Sequence, residues 1–412
     1  MEQPLSDIRV LDLTDDKGLL CGRMLADMGA DVIKIEKPGG DPVRNTPPFY
    51  HDIPDPEKSL FWFAYSLNKR SITLAIDSED GKVILRDMVR KADVLVESFP
   101  VGYLKKIGLD YAELRKINPN LIMASISPFG QTGPYKKFKA SDIVGMAMGG
   151  YLYLCGDPEK PPVRISVPQA YLHAASEAAA ASMIALCYRD SSGEGQYIDV
   201  SMQQSVVMNT FQAIPFWLID KTVLERAGPF RIGLSAGTRQ RQTWPCKNGQ
   251  INFVIYGAWG ATYDILVQWL EENGINTEDL KRLKADNWDV FNMSQERWEK
   301  VEKPIGEFFL KHTKEELSEG GMKRGIPLCP VAAPSEVVNS AQLAATGFWM
   351  NVEHPELGTS IKYPGFCYKF SETPCKVWRR APLIGEHNME IYHDELGLSV
   401  KQIISLKEIG VI

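Results

Sequence analysis

The residues that could do chemistry in this chain are lysines at the ends of apolar runs, six histidines and seven scattered cysteines. Lys34 and Lys37 close the run DVIKIEK, Lys69-Arg70 sits in LNKRSI, and Lys105-Lys106 precedes a short helical segment. Lys136, Lys137 and Lys139 fall between a strand-like and a helix-like stretch. On a parallel sheet, such loop positions are where nucleotide-like ligands bind. Each cluster alone is more often a solvated surface, but together they suit a phosphate-bearing molecule. His51, His173, His312, His354, His387 and His393 have neither HExxH nor HxH spacing, which argues against a metal hydrolase. No GxSxG elbow is present. The stretch TDDKGLLCG after the first apolar run is not GxGxxG, and PGGDP follows the second run, so a dinucleotide fingerprint is missing. Gly149-Gly150 and Gly320-Gly321 read as turns. The cysteines include no CxxC pair and are widely spaced, as expected of reduced thiols in a cytosolic protein without a zinc site.

Those side chains need a frame. At 412 residues the chain exceeds a single hydrophobic core, so about two or three domains are expected. Its 44% hydrophobic and 24% charged content is that of an ordinary globular protein. A net charge of −6 disfavours a general nucleic-acid binder. The opening MEQPLSDIRVLDLT lacks a signal-peptide pattern. The Ala-rich run from Ala174 to Tyr188 carries Glu177 and is too short for a membrane span, so it reads as a buried helix.

Strand-like runs at Ile8–Leu13, Asp31–Ile35, Ile72–Leu74, Asp93–Val96 and Leu121–Ile126 alternate with helical ones at Gly22–Met28, Ser78–Lys91 and Leu109–Asn118. That alternation predicts an α/β fold, a doubly wound parallel sheet covered on both faces. QYIDV at Gln196–Val200 adds a strand leading into a helix. Further on, Pro245–Tyr256 reads as a hairpin around Asn248-Gly249. Tyr263–Asn273 and Ser294–Thr313 are helical, and the chain beyond Pro330 is rich in Pro and Gly. A smaller domain is expected at about 225–325.

Six blocks, in order from end to end, carry a family resemblance: LADMGADVIKIEKPGGDP, NKRSITL, ADVLVESF, INPNLIMASISPFGQTGPY, GEGQYIDVSM and RRAPLIGEHN. They resemble the class III CoA-transferases, the formyl-CoA and carnitine CoA-transferase type. The resemblance implies a Rossmann-like large domain completed by the C-terminal segment, here 1–220 with 330–412, and a smaller α+β domain between. It also implies an interlocked-ring dimer, cytoplasmic location, and coenzyme A as the moiety moved from an acyl-CoA to an organic acid without a metal. In that chemistry a carboxylate attacks the donor thioester, becomes a mixed anhydride, and then an enzyme thioester of CoA.

The family aspartate follows a PPV-type turn. Aligning PPVRISVPQAYLHAA (Pro161–Ala175) without gaps puts Tyr171 there, and a phenol supports neither intermediate. The resemblance therefore leaves this chain with no catalytic residue of its own. Glu177, six positions on, and His173 are the alternative groups nearby. The AGP-type stretch of the family is KGLLCG here, and its Arg-Pro pair is Pro100-Val101. Lys37, Ser98, Phe99, Lys106, Lys139 and Asp142 still match the family's CoA-contacting places. Related racemases use a histidine in a GHD block, whereas Ala140-Ser141-Asp142 stands here. Some members of the family pair two related subunits, one lacking the aspartate, and this chain resembles that subunit. The expected partner is a paralogue that retains it.

Overall fold

Short apolar runs separated by capped helices condense into one parallel sheet. A computed structural model of the chain describes residues 3–232, 238–255, 261–285 and 293–412. Its main sheet has six strands: β1 (Arg9–Leu13), β2 (Asp31–Glu36), β3 (Arg70–Thr73), β4 (Val94–Glu97), β5 (Ile122–Ser127) and β6 (Tyr197–Ser201). Their order is β3-β2-β1-β4-β5-β6, and every pairing is parallel. The order reverses between β1 and β4, the switch point at which ligands of doubly wound sheets bind.

Helices cover both faces. On one lie α1 (Leu19–Asp27) and α7 (Ala170–Ser192), packed with the short α6 (Asp142–Met148) and α8 (Met202–Asn209). Six of the nine buried residues of α7 are alanines, at 170, 174, 175, 178, 179 and 185, so the helix lies close to its neighbours. On the other face lie α3 (Glu79–Val89) and α5 (Tyr111–Ile117), with α4 (Tyr103–Ile107) between them in sequence. Ser78 caps α3 by accepting from Gly81 N–H.

The C-terminal segment belongs to this core. Ile391, Tyr392, Ile403, Val411 and Ile412 pack with Leu11, Ile72 and Leu95. The Tyr392 hydroxyl donates to the Thr73 carbonyl at 2.6 Å. Arg70 pairs with Asp31, Glu390 and Glu395, binding the edge of the sheet to that segment. The Pro- and Gly-rich chain beyond Pro330 contains the antiparallel hairpin β12 (Trp349–His354) and β13 (Thr359–Pro364). Its Val352 and Tyr363 bury against Trp62 and Phe63 of α2 (Leu60–Tyr65).

By compactness the chain divides into Met1–Leu152, Ile165–Asp220 and Ala344–Ile412 as one unit, and Tyr153–Arg164 with Lys221–Leu343 as the other. Residues 153–164 and 330–343, drawn from sequence into the larger domain, group by compactness with the smaller unit. The smaller unit begins with a two-stranded pair, β7 (Phe230–Ile232) and β8 (Arg239–Arg241). The expected hairpin is β9 (Thr243–Cys246) with β10 (Gly249–Phe253), joined by β11 (Leu328–Pro330); Tyr256 lies outside the described residues. Around it are α10 (Ala261–Glu272), α11 (Glu278–Ala285), α12 (Gln295–Lys311) and α13 (Lys314–Arg324). Gly320-Gly321, expected as a turn, lies inside α13. There a side chain at 320 would collide with the Trp269 ring of α10, so close packing and not a bend explains the glycine.

Candidate functional site

The loops that leave the carboxyl ends of β1 to β5 surround one cavity of about 990 Å³. Thr14, Asp15 and Lys17 come from the loop after β1, Lys37, Pro38 and Asp41 from that after β2. Leu74–Asp77 follow β3, Ser98–Val101 follow β4, and Lys136–Ala140 follow β5. This is the position that the strand order designates for a ligand.

Of the residues singled out from sequence, Lys37, Ser98, Phe99 and Lys139 line this cavity, together with Lys136 and Lys137. Among the described residues, none of these four lysines is held in an ion pair, and all are exposed. They offer mobile ammonium groups to phosphates. Ser98 is buried and bridges the switch point: its Oγ accepts from Asp15 N–H at 2.8 Å and donates to Asp15 Oδ1 at 2.7 Å. The Phe99 ring rests on Tyr103.

Two of the expected contacts fall elsewhere. Lys106 is exposed on α4 and is not part of the cavity wall. Asp142 is buried at the start of α6, where its carboxylate accepts from Tyr171 N–H at 3.2 Å. It fixes the beginning of α7 and does not face the cavity.

Three basic residues read as loop cations are structural. Lys34 lies inside β2, almost fully buried, and pairs with Asp41 at 3.0 Å. Lys69 is fully buried against Asp12 at 2.8 Å and also donates to the Leu19 carbonyl. Arg70 binds the C-terminal segment as described above. Lys69 and Arg70 look like ligand-binding cations in sequence because their acidic partners are remote, Asp12 at 57 residues and Asp31 at 39; Lys34 pairs with Asp41 of the nearby PGGDP turn.

Tyr171 is 9% exposed in the first turn of α7. Burial pushes its phenol up, and the nearby Asp16 and Asp15 push it further. It therefore stays protonated and non-nucleophilic throughout the physiological range. Glu177 is exposed on the same continuous helix and His173 is half-buried; like Tyr171 itself, neither lines the cavity.

Acids missed by the sequence reading gather at the switch point. Lys17 pairs with Asp15 and approaches Asp16 at 3.8 Å. Burial, Asp15 and Asp41 push the Asp16 carboxyl up to about 6, against the opposing pull of Lys17. Behind Ser98, burial pushes Glu97 up to about 7, although Phe99 N–H donates to it at 2.7 Å. The signal available in sequence was the consecutive acids of TDDKG directly after a strand.

A model of CoA-transferase family III matches residues 5–388. The chain belongs to this family. Subunit BbsE of succinyl-CoA:(R)-benzylsuccinate CoA-transferase from Thauera aromatica is 33% identical, over 100% of this chain and 99% of that protein. A succinyl-CoA–D-citramalate CoA-transferase from Chloroflexus aurantiacus is 30% identical over 98% and 97%. A formyl-CoA:oxalate CoA-transferase from Streptomyces avermitilis is 32% identical over the full length of both. Among solved structures, a CAIB/BAIF family protein from Brucella suis superposes with a TM-score of 0.79 at 27% identity, covering 96% of this chain and all of that one. A Mycobacterium tuberculosis protein, at 24% identity, shares the fold with a TM-score of 0.75, over 94% and 98%. Among the described residues, no helix is long and apolar enough to cross a membrane.

Proposed function

We propose that this chain is the non-catalytic, aspartate-lacking subunit of a heteromeric, cytoplasmic class III CoA-transferase. The enzyme moves CoA from an acyl-CoA such as succinyl-CoA to an organic acid such as benzylsuccinate. The observation that carries the reading is Tyr171, a buried phenol where the family resemblance places the nucleophilic acid. An aryl ester cannot continue to the anhydride and thioester, and burial beside Asp16 and Asp15 removes even the phenolate. Glu177 points to solvent six positions further along the same continuous helix, more than one turn from Tyr171. The similarity to subunit BbsE, itself named as a subunit, favours the same kind of assembly.

The partner is an aspartate-bearing paralogue, joined in an interlocked heterodimer. Exposed apolar side chains support such a partner. Met208 of α8, Phe211 just after it and Ile219 of the helix α9 (Ala213–Asp220) are each more than 60% exposed, as is Ile184 on α7. The chain's own cavity retains the CoA moiety through Lys37, Lys136, Lys137 and Lys139, with Ser98 and Phe99 shaping the wall.

The test is to purify the chain alone and co-expressed with an aspartate-bearing paralogue, and to assay CoA transfer from succinyl-CoA to benzylsuccinate. No transfer is expected from the single chain, transfer is expected from the pair, and mass spectrometry should find the CoA adduct on the paralogue. Transfer by the single chain, or an adduct on it, overturns the reading.

A further inference from the structure

One wall of the cavity carries basic and aromatic side chains side by side. The loop after β5 reads YKKFK at 135–139, and its Lys136, Lys137, Phe138 and Lys139 all line the cavity. The Phe138 ring is 57% exposed, a large apolar face left open inside a cavity. It is nevertheless held. Its N–H donates to the Tyr135 carbonyl at 2.8 Å, closing a turn. The Tyr135 ring lies 5.1 Å from it, and the Phe129 ring meets it edge to face at 6.4 Å. The three rings brace one another, so little side-chain freedom is left to lose when a ligand covers Phe138.

Two other rings, Phe99 and Tyr103, line the cavity, but each is half-buried and they rest on one another at 4.9 Å. They form wall, whereas Phe138 keeps a face free. Its sequence neighbours Lys137 and Lys139 narrow what can cover it. A purely apolar ligand would leave their ammonium groups unmatched, and a bare phosphate would leave the ring uncovered. A nucleotide answers both, because its base has a flat face for the ring and its phosphates take the ammonium groups.

We propose that Phe138 is the platform on which the adenine base of CoA stacks, so that this cavity draws its affinity from the nucleotide end of the molecule. The inference rests on the reading that the cavity holds CoA. It adds the residue that recognises the base and the end of CoA by which the cavity grips.

Calorimetric titration of the full chain with CoA, adenosine 3′,5′-bisphosphate and phosphopantetheine separates the two ends. Phe138→Ala should raise the Kd of CoA and of the bisphosphate alike, about tenfold, the scale of a base stacked on an aromatic side chain. Phosphopantetheine has no base, so its Kd should not move. Phe138→Trp should keep the parent affinities. The loss in Phe138→Ala should be the same factor at low and at high salt, since stacking is not screened as an ion pair is. Where phosphopantetheine binds the parent too weakly to titrate, the contrast between the alanine and tryptophan variants decides. Where the alanine variant does not fold, Phe138→Leu, apolar but without an aromatic face, takes its place.

An unchanged Kd for the bisphosphate in the folded variant overturns the stacking alone. So does an equal loss for phosphopantetheine, or a tryptophan variant as weak as the alanine one. No binding of CoA to the unaltered chain overturns the CoA reading of the cavity, and this inference with it.

Discussion

Replacing Tyr171 with phenylalanine separates a space-filling residue from a chemical one. The side chain is 9% exposed and packs in the core cluster with Ala174, Ala175, Met146 and Met202. Its only hydrogen bond to the acid at the start of α6 comes from the backbone, Tyr171 N–H to Asp142 at 3.2 Å, and any residue at 171 except proline keeps it. Tyr171→Phe should therefore leave stability within about 0.5 kcal/mol of the parent. Transfer by the heteromeric complex should stay within about twofold. Tyr171→Ala removes the ring and leaves a cavity, costing about 3–5 kcal/mol by the usual scale for buried aromatics. That is a fall in melting temperature of about 6 °C or more. Calorimetric melting of each variant, with steady-state transfer assays on the co-purified complex, gives both numbers. A tenfold loss of kcat in Tyr171→Phe, equivalent to about 1.4 kcal/mol of barrier, with unchanged melting, would mean that the hydroxyl takes part in the reaction. The account of a chemically silent subunit would then fail.

Three further outcomes are expected. Lys69→Met leaves Asp12 charged and buried without its partner, so it should cost about 3–5 kcal/mol, whereas Lys69→Met combined with Asp12→Leu should recover much of the loss; equal melting of the single and double variants would contradict this. Lys139→Ala and Lys137→Ala should each weaken CoA binding several-fold, more at low salt than at high, while Lys106→Ala, off the cavity wall, should change it little; calorimetry in two salt concentrations distinguishes the cases. Glu97 has its carboxyl raised in the folded state to about 7 from an ordinary value near 4.5. Between those values the folded chain holds the proton that the unfolded chain has lost, so stability falls as pH rises through that window, by up to about 3 kcal/mol. Glu97→Gln should flatten the fall, read from denaturant midpoints at pH 5 and pH 8, and an unchanged slope would exclude Glu97 as its source.

How much of this could be read in the sequence depended on where each element finds its partners. The sheet was legible because parallel strands buried on both faces must be short apolar runs, as IRVLDL, DVLV and LIMASI are. The β12–β13 hairpin was not, because half of each strand faces outward and its Val352 and Tyr363 are fixed by Trp62 and Phe63, some 290 residues earlier. The start of α7 was placed four residues late for a similar reason. No side chain at Gln169 caps it; the cap is the Asp142 carboxylate, supplied from α6. The exposed lysines of the cavity were legible as loop cations after parallel strands. The buried cations were misread because charge pairing across strands leaves no local pattern.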